Sequence, residues 1–197
     1  GLGEGMKSSR IYLDHAATTP IHPSVIDEIL RVLREFPGNP SSLSAEGRAA
    51  REALDTARGN IAQTLQADPE EIVFTSGGSE SIALAIRGTA MAAARENRRH
   101  LITTAVEHHA VLHTIQHLKT YHGFEATIVD VDSAGHVDPA AVRAAIRDDT
   151  ALVSVMYANN EVGTIQPLAT IAAELEDHPA VFHSDAIQAP GLLPISV

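Results

Sequence analysis

The sequence predicts an α/β domain: a mostly parallel sheet with helices on both faces. Two observations predict it. From residue 72 onward, short runs rich in Val, Ile and Thr alternate with alanine-rich stretches of helical length. Such alternation means right-handed crossovers between parallel strands. Several of the runs are almost continuously apolar, as at Leu152, Val153, Val155 and Met156, which is the pattern of strands buried on both faces.

Ahead of the sheet the chain is helical. Val25, Ile26, Ile29, Leu30, Leu33 and Phe36 fall on one stripe, introduced by Pro23 and ended by Pro37-Gly38. A second long helix spans residues 43–66, with Ser42 as its N-cap. Strands are expected at residues 72–75, 100–106, 125–131, 151–157 and 180–186, each bounded by Gly, Pro, Asp or Asn. Helices at 80–95, 110–122, 139–147 and 167–176 join them. Residues 1–20 read as an N-terminal arm whose first residues stand outside the fold, with Met6 as the natural start. Residues 21–197 read as one large domain. It stops just after a central-type strand, so it is expected to be incomplete at the C-terminus.

Composition removes several function classes. Fourteen Lys and Arg against twenty-five Asp and Glu leave a charge of −11 on 197 residues. A chain this acidic repels a phosphate backbone, and its arginines are scattered along helices, so nucleic acid is not an expected partner. A hydrophobic share of 44% supports one substantial core, and a charged share of 20% is too low for disorder. No run approaches the roughly eighteen apolar residues of a membrane span. Without cysteine the chain holds no disulfide, no thiolate metal site and no cysteine nucleophile. Its first ten residues are polar and glycine-rich, unlike a signal peptide. These features predict a soluble, cytoplasmic protein.

Open parallel sheets bind ligands beyond the carboxyl ends of their strands. After residues 72–75 comes Ser76-Gly77-Gly78-Ser79-Glu80, opening a helix. Glycines let the backbone approach closely, and the first helical N–H groups point at an anion, so Gly78 and Ser79 can cradle a phosphate. An ordinary tight strand-to-helix turn has the same composition. After residues 100–106 comes Glu107-His108-His109. His108 at this junction can stack on a flat ligand or shuttle a proton, and it can equally serve as a helix cap. His109, His113 and His117 repeat along one helical face. No carboxylate or general base accompanies them, so a solvated face is preferred to a metal site.

After residues 151–157 come Asn159-Asn160-Glu161, two amides and a carboxylate in a loop. Finally Asp185 lies among apolar neighbours near the end of a strand, followed by Gln188. A buried carboxylate needs a partner, either an Arg or Lys or the protonated ring nitrogen of a cofactor. An anion cradle, an aromatic lid, an amide pair and a buried acid at four strand ends describe pyridoxal 5′-phosphate better than a dinucleotide.

Several motifs in one order carry a resemblance. They are Tyr12-Leu13-Asp14-His15-Ala16-Ala17-Thr18-Thr19-Pro20, Gly38-Asn39-Pro40-Ser41-Ser42, Phe74-Thr75-Ser76-Gly77-Gly78-Ser79-Glu80-Ser81, Glu107-His108, Asn159-Asn160-Glu161-Val162-Gly163 and His183-Ser184-Asp185-Ala186-Ile187-Gln188. From Ile11 to Val197 the chain resembles the N-terminal part of cysteine desulfurases of the nitrogen-fixation and iron–sulfur-cluster type. These are class V aminotransferase-like enzymes of fold type I. The resemblance implies the large domain of that fold, pyridoxal 5′-phosphate as cofactor, L-cysteine as substrate, a sulfur-acceptor protein as partner, and a homodimer. It implies that Gly78 and Ser79 hold the cofactor phosphate and that His108 stacks on the ring and takes part in proton transfers. It also implies that Asn160 and Gln188 lie beside the phenolic oxygen, that Asp185 pairs with the ring nitrogen, and that residues 14–18 line the entrance.

The family's Schiff-base lysine lies in a Ser-x-His-Lys segment that this chain ends before reaching. The persulfide cysteine and the arginine that binds the substrate carboxylate are also absent. Lys7 and Lys119 are the only lysines. The chain alone is therefore expected to be inactive. A selenocysteine lyase or another class V enzyme is the alternative within the class, and a non-catalytic fragment or interaction subunit is the alternative outside it.

Overall fold

The computed structural model describes residues 11–197. The residues expected to stand outside the fold, and the start expected at Met6, lie outside that range. The described residues form two compact units, one up to Thr64 and one from Leu65 to Val197.

The first unit is helical. Helix α1 (Pro23–Glu35) starts at a proline, whose fixed φ suits a first turn, and the His22 ring accepts the Ser24 N–H. Arg31 bridges Glu28 and Glu35 on its polar side. The predicted apolar stripe is present, and Val25, Ile26, Ile29, Leu30 and Leu33 are all exposed. Helix α2 (Ala45–Leu65) is capped by Ser44, not Ser42: the Ser44 hydroxyl accepts the Gly47 N–H. Asn39 is the reason. Its side chain accepts the Ser41 N–H and its carbonyl accepts the Ser42 N–H, so Ser42 still belongs to the preceding turn.

The second unit holds strands β1 (His100–Thr104), β2 (Glu125–Val129), β3 (Thr150–Ser154) and β4 (Val181–His183). All pairs are parallel and the order is β2-β1-β3-β4. Helices α3 (Gly78–Ala93) and α4 (His109–His122) cover one face, and α5 (Pro139–Ala145) and α6 (Leu168–Ala173) the other. The strand period of two separates the cores. Leu101 and Leu152 pack with Ile86, Ile115 and Leu118, whereas Ile102 and Val153 pack with Val142 and Ile171. At the amino end of β1, buried His100 shares hydrogen bonds with Thr150 and Thr127 and so links three strands. Its burial lowers its pKa.

Two expectations are corrected. Residues 72–75 form no ladder among the described residues, and Val73 is 66% exposed. The four strands of the sheet also end earlier than their apolar runs. After β2, Asp132 accepts the Ala134 and His136 N–H groups, and this turn sets Val131 opposite Val137. Among the described residues no helix is long and apolar enough to cross a membrane.

Candidate active site

Three buried polar side chains of the second unit, Glu107, Asn159 and Asp185, follow the carboxyl ends of β1, β3 and β4. The loop before α3 has an unusual cap. No side chain caps Gly77, and the first intrahelical bond runs from the Ser81 N–H to the Gly77 carbonyl. A helix start of this kind leaves N–H groups without intrahelical partners, here at Gly78 and Ser79. Glu80 instead folds back to accept the Ser76 hydroxyl and N–H, which lowers its pKa. Both Gly78 and Ser79 therefore lie in the first turn of α3, with the Ser79 side chain exposed.

At the end of β1, His108 is the N-cap of α4, and its Nδ1 accepts the Ala110 N–H. This bond puts the proton of the neutral ring on Nε2, at an exposed position. Further along α4, the His109 and His113 rings stack 5.6 Å apart, while His117 lies against Tyr121 and His122. Among the described residues no group of three or more His, Cys, Asp or Glu could hold a metal ion.

The two amides after β3 do different work. Asn159 is buried and structural: its amide nitrogen donates to the Val106 carbonyl, and its oxygen accepts the Glu161 and Val162 N–H groups. Asn160 is half-buried and donates to Glu161.

Asp185 is only 8% exposed and follows β4 by two residues. Its Oδ1 accepts the Ile187 N–H, and its carbonyl accepts the Tyr157 N–H. No Arg, Lys or His among the described residues forms an ion pair with it. Next to it, the buried Ser184 hydroxyl has no hydrogen-bond partner among the described residues. His183 donates to or accepts from Ser154, and burial lowers its pKa. Gln188 is half-buried one turn beyond Asp185.

A continuous set of contacts joins these pieces. Gly78 packs against Ile187, Ile187 bonds to Asp185, Asp185 bonds to Tyr157, and the neighbouring Met156 N–H donates to Glu107, beside His108. Thus contacts link the segments that carry Gly78, His108 and Asp185; Ser79 follows Gly78 in the chain, Gln188 lies three residues after Asp185, and Asn160 lies three residues after Tyr157. A residue without an assigned role in the sequence reading also belongs here. Glu107 is 6% exposed, and burial pushes its carboxyl up to about 7. A lone acid before a histidine gave no sign of burial. Its partner Met156 is 49 residues away, and only the fold unites them.

The donor set suits a phosphorylated cationic ring. Uncapped N–H groups at Gly78 and Ser79 match an anion, and a buried carboxylate without a cationic partner among the described residues matches a ring N–H⁺.

Residues 11–197 match the model of the aminotransferase class-V family. The cysteine desulfurase IscS of Methanosarcina thermophila is 46% identical over 197 residues, covering 100% of this chain and 48% of that protein. A solved structure described as a NifS-like protein superposes with a TM-score of 0.91 at 38% identity, over 95% of this chain and 52% of the other. Another, described as SspA in complex with cysteine, gives 0.89 at 39% identity, over 94% and 53%. The chain spans about half the length of the curated relatives it matches.

Proposed function

The chain belongs to the aminotransferase class-V family, and we propose that it is the cofactor-binding part of a cysteine desulfurase. The full-length protein would take sulfur from L-cysteine, leave L-alanine, and pass the sulfur to an acceptor protein as a persulfide. It would work as a cytoplasmic homodimer. The observation that carries this reading is Asp185, a buried carboxylate without a cationic partner among the described residues, held beside the uncapped start of α3. Pyridoxal 5′-phosphate, when bound, supplies an electron sink for bonds at the substrate α-carbon.

The chain's own residues would bind, orient and tune. Gly78 and Ser79 would donate N–H groups, and Ser79 its hydroxyl, to the phosphate at the helix N-terminus. Asp185 would keep the ring nitrogen protonated, as a charge pair in a poorly solvated site favours. Its Oδ1 is already fixed by the Ile187 N–H, so little side-chain entropy remains to be lost on binding. His108, oriented by its cap bond, would present its ring to the cofactor face and Nε2 for proton transfer. Asn160 and Gln188 would donate to the phenolic oxygen.

The test uses the full-length protein. Incubated with pyridoxal 5′-phosphate and L-cysteine, it should release alanine and, with a thiol reductant, sulfide in equal amounts. Cofactor binding without cysteine turnover would reject the desulfurase assignment, and no cofactor binding would reject the site.

A further inference from the structure

We propose that Glu107 is a positioning residue: a neutral buried acid that ties the ends of β1 and β3 together and leaves the anionic charge beside it to Asp185. Its Oε1 accepts from the Thr104 hydroxyl, at the end of β1, and from the Met156 N–H, just past β3, both at 2.8 Å. Its Oε2 is buried and has no partner among the described residues. An ionised carboxylate has lone pairs to satisfy on both oxygens and charge to stabilise. Here one oxygen takes both donors and the other takes none, and among the described residues no Arg, Lys or His forms an ion pair with the group. Such burial favours the uncharged form, with the proton on the oxygen that accepts nothing.

The charged group that acts on Glu107 is Asp185, and it acts as a like charge. His183 faces Asp185 from β4, and burial keeps it towards neutrality. Thr104 and Met156, the groups that hold Glu107 directly, do not titrate. Burial comes first in keeping Glu107 uncharged, and the like charge adds to it. Glu107 is the acid, because its Oε1 bonds need only an acceptor and survive protonation of Oε2. That Asp185 is the anion rests on the proposed function, in which a ring N–H⁺ stands against it.

The experiment compares wild-type, E107Q and E107A full-length protein in two measurements. Infrared spectra of the cofactor-free protein should show a protonated-carboxyl C=O band at pH 6 that fades by pH 8 and is missing in E107Q. Pyridoxal 5′-phosphate affinity at pH 6 should change less than about threefold in E107Q, which keeps an acceptor for Thr104 and Met156. It should fall roughly tenfold or more in E107A, which removes that acceptor. An unchanged band in E107Q, or equal losses of affinity in E107Q and E107A, would overturn the proposal. Should E107A fail to fold, the band and the E107Q affinity decide the matter. The infrared measurement needs no cofactor, so a failure of the proposed function, seen as full affinity in Asp185→Ala, remains distinguishable from a failure here.

Discussion

Gly78 and Ile187 are in direct contact: a Cβ built on Gly78 would stand 2.9 Å from Cδ1 of Ile187. The start of α3 is thereby seated against the segment that carries Asp185, so the proposed phosphate and ring-nitrogen ends of the site are tied together. The obstructing atom is the tip of a flexible side chain, whereas at Gly38 a Cβ would run into the backbone of Glu46 and Gly47. Gly78→Ala should therefore cost less than about 1 kcal/mol, and Gly38→Ala about 3 kcal/mol or more, by urea denaturation. The reverse order would show that the loop before α3 is the rigid one.

Asp185→Ala should damage the full-length enzyme more than Ser79→Ala. The first leaves a ring cation without its counter-charge, with a loss of roughly 100-fold or more in kcat/KM; the second removes one of several donors to the phosphate and loses about tenfold. Equal, small effects would mean the roles are misassigned.

His108 combines a cap and a ring, and substitution can separate them. Asn is a good N-cap, so His108→Asn should retain thermal stability while His108→Ala loses about 1 kcal/mol. Both should lose activity alike, because neither carries an imidazole. Activity that follows stability would reduce His108 to a cap.

Two kinds of buried group give opposite pH dependences. Glu107 has a folded pKa raised from its ordinary 4.5 to about 7. Its contribution is fully present below pH 4.5 and is lost as the pH rises to about 7, an effect on the order of 3 kcal/mol. His100 and His183 have lowered folded pKa values, so their contribution is present above 6.5 and is lost as the pH falls below it. In E107Q the thermal midpoint should lose its decline between pH 4.5 and 7 and keep only the loss on acidification. An unchanged profile would place the titration elsewhere.

The 197-residue chain has Lys7 and Lys119 as its only lysines, and Lys119 lies in the last turn of α4. Treated with pyridoxal 5′-phosphate and borohydride, it should yield no stoichiometric adduct at a single lysine on peptide mapping, and no cysteine-dependent sulfide. A single labelled lysine would refute this.

The alternation of elements was legible because buried parallel strands are apolar throughout and the intervening helices are rich in alanine. Strand ends were not. Met156 and Tyr157 continue the apolar run of β3, yet their N–H groups go to the Glu107 carboxylate and the Asp185 carbonyl, bonds invisible without the fold. Residues 72–75 have strand composition, yet they form no ladder among the described residues. At the site, the aspartate was legible as a carboxylate among apolar neighbours, and the structure buries it; the glycine loop by itself was not, since an ordinary turn has the same composition. The division of labour between Asn159 and Asn160 was not, since adjacent identical amides differ only in what surrounds them.

The strand order has a kinetic consequence. The central neighbours β1 and β3 are first and third in the chain, every ladder is parallel, and no hairpin joins any pair. Nothing short-range can start this sheet. Each ladder waits for a loop of tens of residues to close, so contacts along the chain are distant and folding is slow on the scale of small helical proteins. While the loops close, apolar strands stand open to neighbouring molecules. Refolding yield should therefore fall steeply with protein concentration even where the final stability is ample.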